Sequence, residues 1–187
     1  MRTKRVMILK NTAAIGNTAF IYLIALLPAL LFANGKSQMI TFLWEHLFFN
    51  NVFVPLGAIL LLGIFLYIIN LLFLLNARHG KWSAQELCRT NLLVKLLQIP
   101  AYLFIFVVGL LCALMIFTIG ISFVFVLLDI FTIGMTGLFA CSAFYVLKKE
   151  QKISGKMQLF YSLASFLFCA DIVIAVIGYK RATVIET

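Results

Sequence analysis

Acidic residues are scarce in this chain, since only 6 of its 187 residues are Asp or Glu and charged residues of both signs make up 11%. Apolar residues make up 64%, and the mean hydropathy is +1.12. Soluble domains are only about half apolar. A soluble fold has too little interior to bury this much apolar surface, so the composition excludes a soluble domain and predicts a membrane protein.

Motifs that carry chemistry are also absent from the sequence. The four cysteines form no CxxC, and three lie inside apolar runs, where Cys behaves as a small apolar residue. We therefore expect no disulfide, no metal site and no cofactor. No nucleotide-binding loop or catalytic triad is present, so the sequence does not predict an enzyme. The net charge of +9 comes from bases beside apolar runs, which argues against nucleic acid as a partner.

Five apolar runs are long enough to cross a bilayer, for which about 20 residues are needed. They cover about residues 15–33, 52–75, 100–119, 121–147 and 158–178. The first run is interpreted as a retained span and not as a cleaved signal peptide. Residues 96–147 contain one formal charge and would measure about 78 Å as one helix, so they predict a hairpin that turns near 118–120. The sequence predicts a single all-α membrane domain over 1–187, a bundle of five transmembrane helices.

Two further helices are predicted beside the spans. The apolar segment 39–49 is too short to cross and carries Trp44, which favours the headgroup layer, so it predicts a short outer interfacial helix. Ser83 and Glu86 fit a capping box at the start of an inner amphipathic helix. Pro100 is expected to kink or end that helix before the third span.

Basic residues predict the orientation. With the N-terminus inside and the C-terminus outside, twelve bases lie on the cytoplasmic side and three outside, in agreement with the positive-inside rule. The twelve are Arg2, Lys4, Arg5, Lys10, Arg78, Lys81, Arg89, Lys95, Lys148, Lys149, Lys152 and Lys156, and the three are Lys36, Lys180 and Arg181. The inner bases are expected to contact the anionic headgroups of the lipid bilayer. The short loops are typical of small multi-pass proteins of a bacterial plasma membrane, so we expect location in the cell membrane.

Asp129 and Asp171 are the only acids inside the predicted spans, where ionisable groups are costly and usually functional. Both lie about 12–13 Å below the predicted outer ends of their helices. If their faces converge, the two carboxylates form a proton or cation site, because two close carboxylates cannot both stay ionised. Two alternatives remain. A turn near 127–130 would put Asp129 in an outer loop, and Asp171 can simply bond a neighbouring helix.

Small residues predict helix-packing surfaces, within the bundle or between copies. They are Ala25, Ala29 and Ala33 on the first span and Gly109 and Ala113 on the third. Asn70 is expected to form an interhelical hydrogen bond. His46 beside Glu45 lacks the further ligands of a metal site.

Two functions fit this pattern. The scarcity of polar residues in the spans favours an accessory or scaffold subunit that acts by helix packing, with further copies or with a membrane protein partner. The alternative is a small proton- or cation-linked transporter or channel in which Asp129 and Asp171 line a polar path. Intramembrane catalysis is disfavoured because no glycine motif typical of aspartyl intramembrane proteases flanks either acid.

Overall fold

The chain is described by a computed structural model over residues 2–32, 38–46, 48–49, 51–77, 82–114, 118–167 and 169–183. Regular structure in these ranges is entirely helical. The helices are α1 (Arg2–Phe32), α2 (Gln38–His46), α3 (Phe53–Ala77), α4 (Ala84–Leu114), α5 (Ile119–Lys149), α6 (Gly155–Ala164) and α7 (Ala170–Thr183). Among the described residues, four helices are long and apolar enough to cross a membrane: α1 over Met7–Pro28, α3, α4 and α5. This architecture is that of a helical membrane protein.

The four long helices form a bundle in which α1 and α4 run in one direction and α3 and α5 in the other. The Asn17 and Asn70 side chains join α1 to α3, and the stacked rings of Phe73 and Phe139, 5.2 Å apart, join α3 to α5. Phe20, Phe73 and Phe139 are fully buried, whereas much of the Leu and Phe on the outer surfaces is exposed. Apolar outer surfaces suit lipid, and helices satisfy their own backbone groups there.

Helix α4 is continuous, which corrects the prediction of a separate amphipathic helix ended by Pro100. Its 31 residues run through Pro100 from Ala84 to Leu114. Proline is tolerated in membrane helices when neighbours satisfy the freed backbone groups. Here the Tyr22 hydroxyl of α1 donates to the Leu97 carbonyl at 2.8 Å, next to the Leu96 carbonyl that Pro100 leaves without its helical donor. At the start of α4, Glu150 Oε1 accepts from the Ala84 amide at 2.7 Å, and the Glu86 carboxylate of the predicted capping box pairs with Lys10.

The structure corrects one end of the turn predicted between α4 and α5. Helix α4 ends at Leu114 and α5 begins at Ile119, so Gly120 lies inside the first turn of α5. Residues 115–117 lie outside the described residues. The alternative turn at 127–130 is wrong, since α5 passes through it unbroken.

The structure does not confirm the predicted fifth span, because the chain breaks it into α6 and α7. These helices have 10 and 14 residues, or about 15 and 21 Å, and neither reaches across a hydrocarbon core of about 30 Å. The break follows Ser165, whose hydroxyl bonds back to the Tyr161 carbonyl, and includes Cys169 at a φ of 65°. A left-handed φ is unusual for a residue with a side chain and interrupts a helix.

Helices α6 and α7 form a re-entrant hairpin, residues 155–183, whose two ends lie on the same face of the bundle. Lys152, just before α6, donates from Nζ to the carbonyl of Ala182 in the last turn of α7 at 2.7 Å. Phe144 of α5 contacts both helices. Its ring centre is 5.6 Å from the ring centre of Tyr161 in α6. A Cβ built on Gly178 of α7 would lie 2.5 Å from the Cε1 atom of Phe144. The tip of the hairpin therefore lies near the middle of α5, and α7 returns to the face where α6 began.

We call that end of the bundle the basic face. It carries the ion pair of Lys10 with Glu86, the bond from Ala84 to Glu150, and Lys152. Because α7 also ends there, the structure does not confirm the prediction that the last helix ends on the side opposite the N-terminus. A cytoplasmic basic face stays a prediction of the charge distribution.

Candidate functional site

Lys95 lies inside the bundle and not at its surface. Only 1% of the residue is exposed, and its Nζ donates to Asp171 Oδ2 and to Thr136 Oγ1, both at 2.6 Å. The interpretation of Lys95 as a headgroup-binding base is therefore wrong. That interpretation assumed a separate amphipathic helix before the third span. Instead, α4 is continuous from Ala84, which places Lys95 about 16 Å along the helix from its start.

Asp171 is held in the first turn of α7, directly after the tip of the hairpin. It is 5% exposed, and its Oδ1 accepts from the amide of Ile172 at 2.8 Å. The amide groups at a helix N-terminus favour negative charge. The break at the tip thus positions a carboxylate against the lysine of α4, and the ion pair fastens the hairpin to the spanning helices.

The register of α4 against α5 locates Asp129. Ser122 bonds the Gly109 carbonyl at 2.9 Å, and Thr136 bonds Lys95, so the two helices keep one antiparallel alignment between these contacts. Asp129 lies seven residues before Thr136, which corresponds to about 10 Å along α5, away from the basic face. This alignment places Asp129 level with Tyr102, seven residues after Lys95.

Tyr102 lies near both acids. Its hydroxyl group interacts with Thr136 and lies within electrostatic reach of both Asp171 and Asp129. Asp129 is half-buried, and its buried Oδ1 has no hydrogen-bond partner among the described residues. The prediction that Asp129 and Asp171 lie at equal depth assumed a fifth span. In the structure, Asp171 lies at the level of Thr136, about 10 Å along α5 from Asp129. That they share a proton or a cation stays a prediction.

A cavity of about 270 Å³ opens on the side of Lys95 away from the basic face. Its walls come from α4 and from the hairpin tip: Ile99, Tyr102, Leu103, Phe106, Cys169, Asp171 and Ile172. Apart from Asp171 and Tyr102, these side chains are apolar or a thiol. The cavity is therefore a mainly apolar chamber, open at the surface of the bundle where Leu103 and Phe106 are exposed, with a carboxylate at its edge. Among the described residues, no group of three or more His, Cys, Asp or Glu could hold a metal ion.

The polar side of the predicted amphipathic helix faces the bundle interior. Asn91, Lys95 and Gln98 are all at most 2% exposed, whereas Leu96 and Ile99 are exposed. Gln98 Nε2 donates to the carbonyl of Asn17 at 2.9 Å, beside the reciprocal Asn17–Asn70 amide bonds of 3.0 and 2.8 Å. The interhelical bond expected of Asn70 is confirmed. The spacing 91, 95, 98 is helical, and it is the sequence signal by which Lys95 could have been found.

The predicted small-residue surfaces have different environments. Ala25 packs against the core, while Ala33 and the side chain of Ala29 lie outside the described residues. Ala113 is exposed, and a Cβ at Gly109 would meet nothing within 4 Å. Within the described chain, the pair on α4 thus has open space on the side to which a Gly109 Cβ would point, although the Gly109 carbonyl accepts from Ser122 of α5.

Comparison with protein families, curated proteins and solved structures finds no match to this chain. Function is therefore inferred from the residues alone.

Proposed function

We propose that the chain is a small proton-linked transporter of the plasma membrane, with the basic face toward the cytoplasm. The observation that carries this proposal is the buried Lys95–Asp171 ion pair at the tip of a re-entrant hairpin, beside a cavity. Ionisable groups inside a membrane domain are costly, and they commonly mark proton relays and substrate paths. Non-helical backbone is tolerated there when it is buried in protein or lines a cavity. Broken helices contribute to substrate sites in many transporters.

The ion pair supplies a way for a proton to move the hairpin. With Asp171 ionised, its carboxylate binds the Lys95 ammonium and holds the tip against α4. When a hydronium ion transfers its proton to Asp171 Oδ2, the carboxyl group becomes neutral and water is released. Lys95 keeps its own proton and its bond to Thr136. The charge attraction at the tip is then lost, so proton binding is linked to release of the hairpin.

The test is proton movement in proteoliposomes that contain a pH-sensitive dye. Na⁺, K⁺, choline and benzyltrimethylammonium are added outside in turn, and the internal pH is followed. We expect at least one of these cations to drive proton movement by the parent protein, and Asp171→Asn to abolish it. Glu86→Gln is the matched control, because Glu86 is a carboxylate of the basic face paired with Lys10. Proton movement no faster than in protein-free vesicles, or equal in Asp171→Asn, would overturn the proposal.

A second candidate is an accessory or scaffold subunit. It is supported by Gly109 and Ala113, a small-residue pair on α4 that has open space within the described chain. Small residues at such positions let helices of different chains approach closely. Native mass spectrometry in mild detergent tests this candidate: we expect an oligomer or a complex that Gly109→Leu dissociates. A parent protein that is entirely monomeric would contradict it.

A further inference from the structure

We infer that the cavity at the hairpin tip binds a small organic monocation, an ammonium group that carries an apolar substituent. This inference rests on the proposed transport function and names its substrate class. It follows from the charge of the site, the nature of the cavity wall and the separation of the two acids.

The charge balance of the site favours a cation. Two carboxylates, Asp129 and Asp171, and one ammonium, Lys95, lie within about 10 Å of one another along the bundle. Tyr102 of α4 and Cys169 of the hairpin tip are the other titratable groups at the cavity. Asp129 does not line the cavity but lies on α5 at the level of Tyr102. With Tyr102 and Cys169 neutral and both carboxylates ionised, the site has one excess negative charge. Asp129 Oδ1 is buried without a hydrogen-bond partner among the described residues, and a bound monocation would compensate this carboxylate.

The wall of the cavity favours an organic ion over a bare metal ion. Metal cations such as Mg²⁺ or Ca²⁺ take about six or more oxygen ligands. Among the side chains that line this cavity, oxygen is supplied only by Asp171 and Tyr102. The rings of Tyr102 and Phe106 offer instead the aromatic faces that attract ammonium groups. The cavity, about 270 Å³, lies at the small end of the size range of ligand pockets, so the ligand is small.

The separation of the acids points the same way. Their levels differ by about 10 Å along α5, too far for one bare ion to contact both carboxylates. A ligand with an apolar body can fill the chamber while its charge lies between the acids. A proton on Asp171 cancels the excess negative charge that holds the ligand, so proton and ligand compete for the site, which makes the transport an exchange.

The test uses Cys169, which lines the cavity and is exposed, as a reporter of occupancy. In a protein with Cys88, Cys112 and Cys141 replaced by Ser, the rate of Cys169 alkylation by N-ethylmaleimide is measured in detergent. We expect benzyltrimethylammonium to slow this reaction several-fold. Its uncharged isostere neopentylbenzene and NaCl should leave the rate unchanged. Asp129→Asn should remove the protection, provided the variant elutes and unfolds as the parent does.

Leu61→Cys in a protein without the four native cysteines is the matched control. Leu61 is 70% exposed on α3 and does not line the cavity, so its alkylation should be insensitive to the probe. Equal protection by neopentylbenzene, or no protection at all, would overturn the inference. Proton exchange driven by Na⁺ without protection by benzyltrimethylammonium would overturn this inference alone. Protection without any proton exchange would overturn the proposed transport and leave a cation-binding site.

Discussion

At the scale of single residues, the Lys95–Asp171 pair joins α4 to the hairpin at a cost in desolvation. Both residues are almost entirely buried, and the Lys95 ammonium and the Asp171 carboxylate form an ion pair in which Nζ and Oδ2 are 2.6 Å apart. Removal of one partner from a buried pair strands the remaining charge, whereas replacement of both by apolar groups of similar size is often nearly neutral. The pair is therefore suited to a site whose charge state controls the attachment of the hairpin.

Lys95→Met is expected to lower the free energy of unfolding by about 3–5 kcal/mol, because Asp171 is left buried without a counter-charge. The double variant Lys95→Met, Asp171→Leu should recover most of that loss. Thermal unfolding in detergent, followed by circular dichroism, measures both. If the double variant were as unstable as the single one, lost packing and not the stranded carboxylate would explain the effect.

The amide pair of Asn17 and Asn70 makes a smaller, purely structural contribution. Asn70→Leu is expected to destabilise the bundle by about 1 kcal/mol, in the range measured for interhelical hydrogen bonds in membranes. Asn76→Leu is the control, since the Asn76 amide bonds only the Leu72 carbonyl of its own helix at 2.8 Å in the described structure. The same unfolding assay compares them. Equal losses in the two variants would argue against a role for the interhelical bond.

The sequence singled out Asp171 as a candidate site residue but did not predict its partner Lys95. Asp171 stood out because carboxylates inside apolar runs are rare, whereas Lys95 stood at the edge of a run and was counted with the cytoplasmic bases. Hydropathy cannot distinguish a base at the membrane surface from one that points into a bundle. Helical spacing can: Asn91, Lys95 and Gln98 share one side of α4, and in a membrane a polar side faces protein.

At the scale of elements, the length and apolarity of the runs predicted four of the helices but could not predict the break in the fifth run. Residues 158–178 have the apolar length of a span. The interruption depends on local backbone geometry at Ser165 and Cys169 and on the fit of the tip against α5. Pro100 shows the opposite. The sequence predicted that this proline would kink or end a helix, but it lies within the continuous helix α4.

The fit of the hairpin tip is tested at Gly137. A Cβ there would lie 2.6 Å from the ring of Phe166, which lies at the tip, so Gly137→Ala should push the tip outward. Overpacking of this kind typically costs about 1–3 kcal/mol. We expect faster alkylation of Cys169 and lower stability. Gly134→Ala is the control, because its Cβ would meet only Tyr67 at 3.6 Å, an ordinary contact. Unchanged alkylation in Gly137→Ala would contradict the close contact.

At the scale of the whole molecule, the hairpin changes the topology and improves the separation of charge. The five-span arrangement placed Lys180 and Arg181 outside, two of only three bases assigned there. Return of α7 to the basic face moves both to the side with the other bases, as the positive-inside rule favours. Lys36, the third of those bases, lies outside the described residues. The arrangement also leaves the cavity on the other side of the ion pair, so that Lys95 and Asp171 lie between the chamber and the basic face.

Cysteine labelling in sealed vesicles tests this topology directly. In a protein without the four native cysteines, single cysteines are placed at Ser154 and Thr183, at the two ends of the hairpin, and at Gly120, at the start of α5. An impermeant maleimide should modify positions 154 and 183 from one side and position 120 from the other. Right-side-out and inside-out vesicles together assign the side, and detergent lysis shows that each cysteine is reactive. With four spans and a re-entrant hairpin, the ends of the hairpin must label together, because neither α6 nor α7 is long enough to carry Thr183 across. A cysteine at position 183 that labelled with position 120 would require a fifth crossing and would remove the tip, the cavity and the ion pair from their proposed roles.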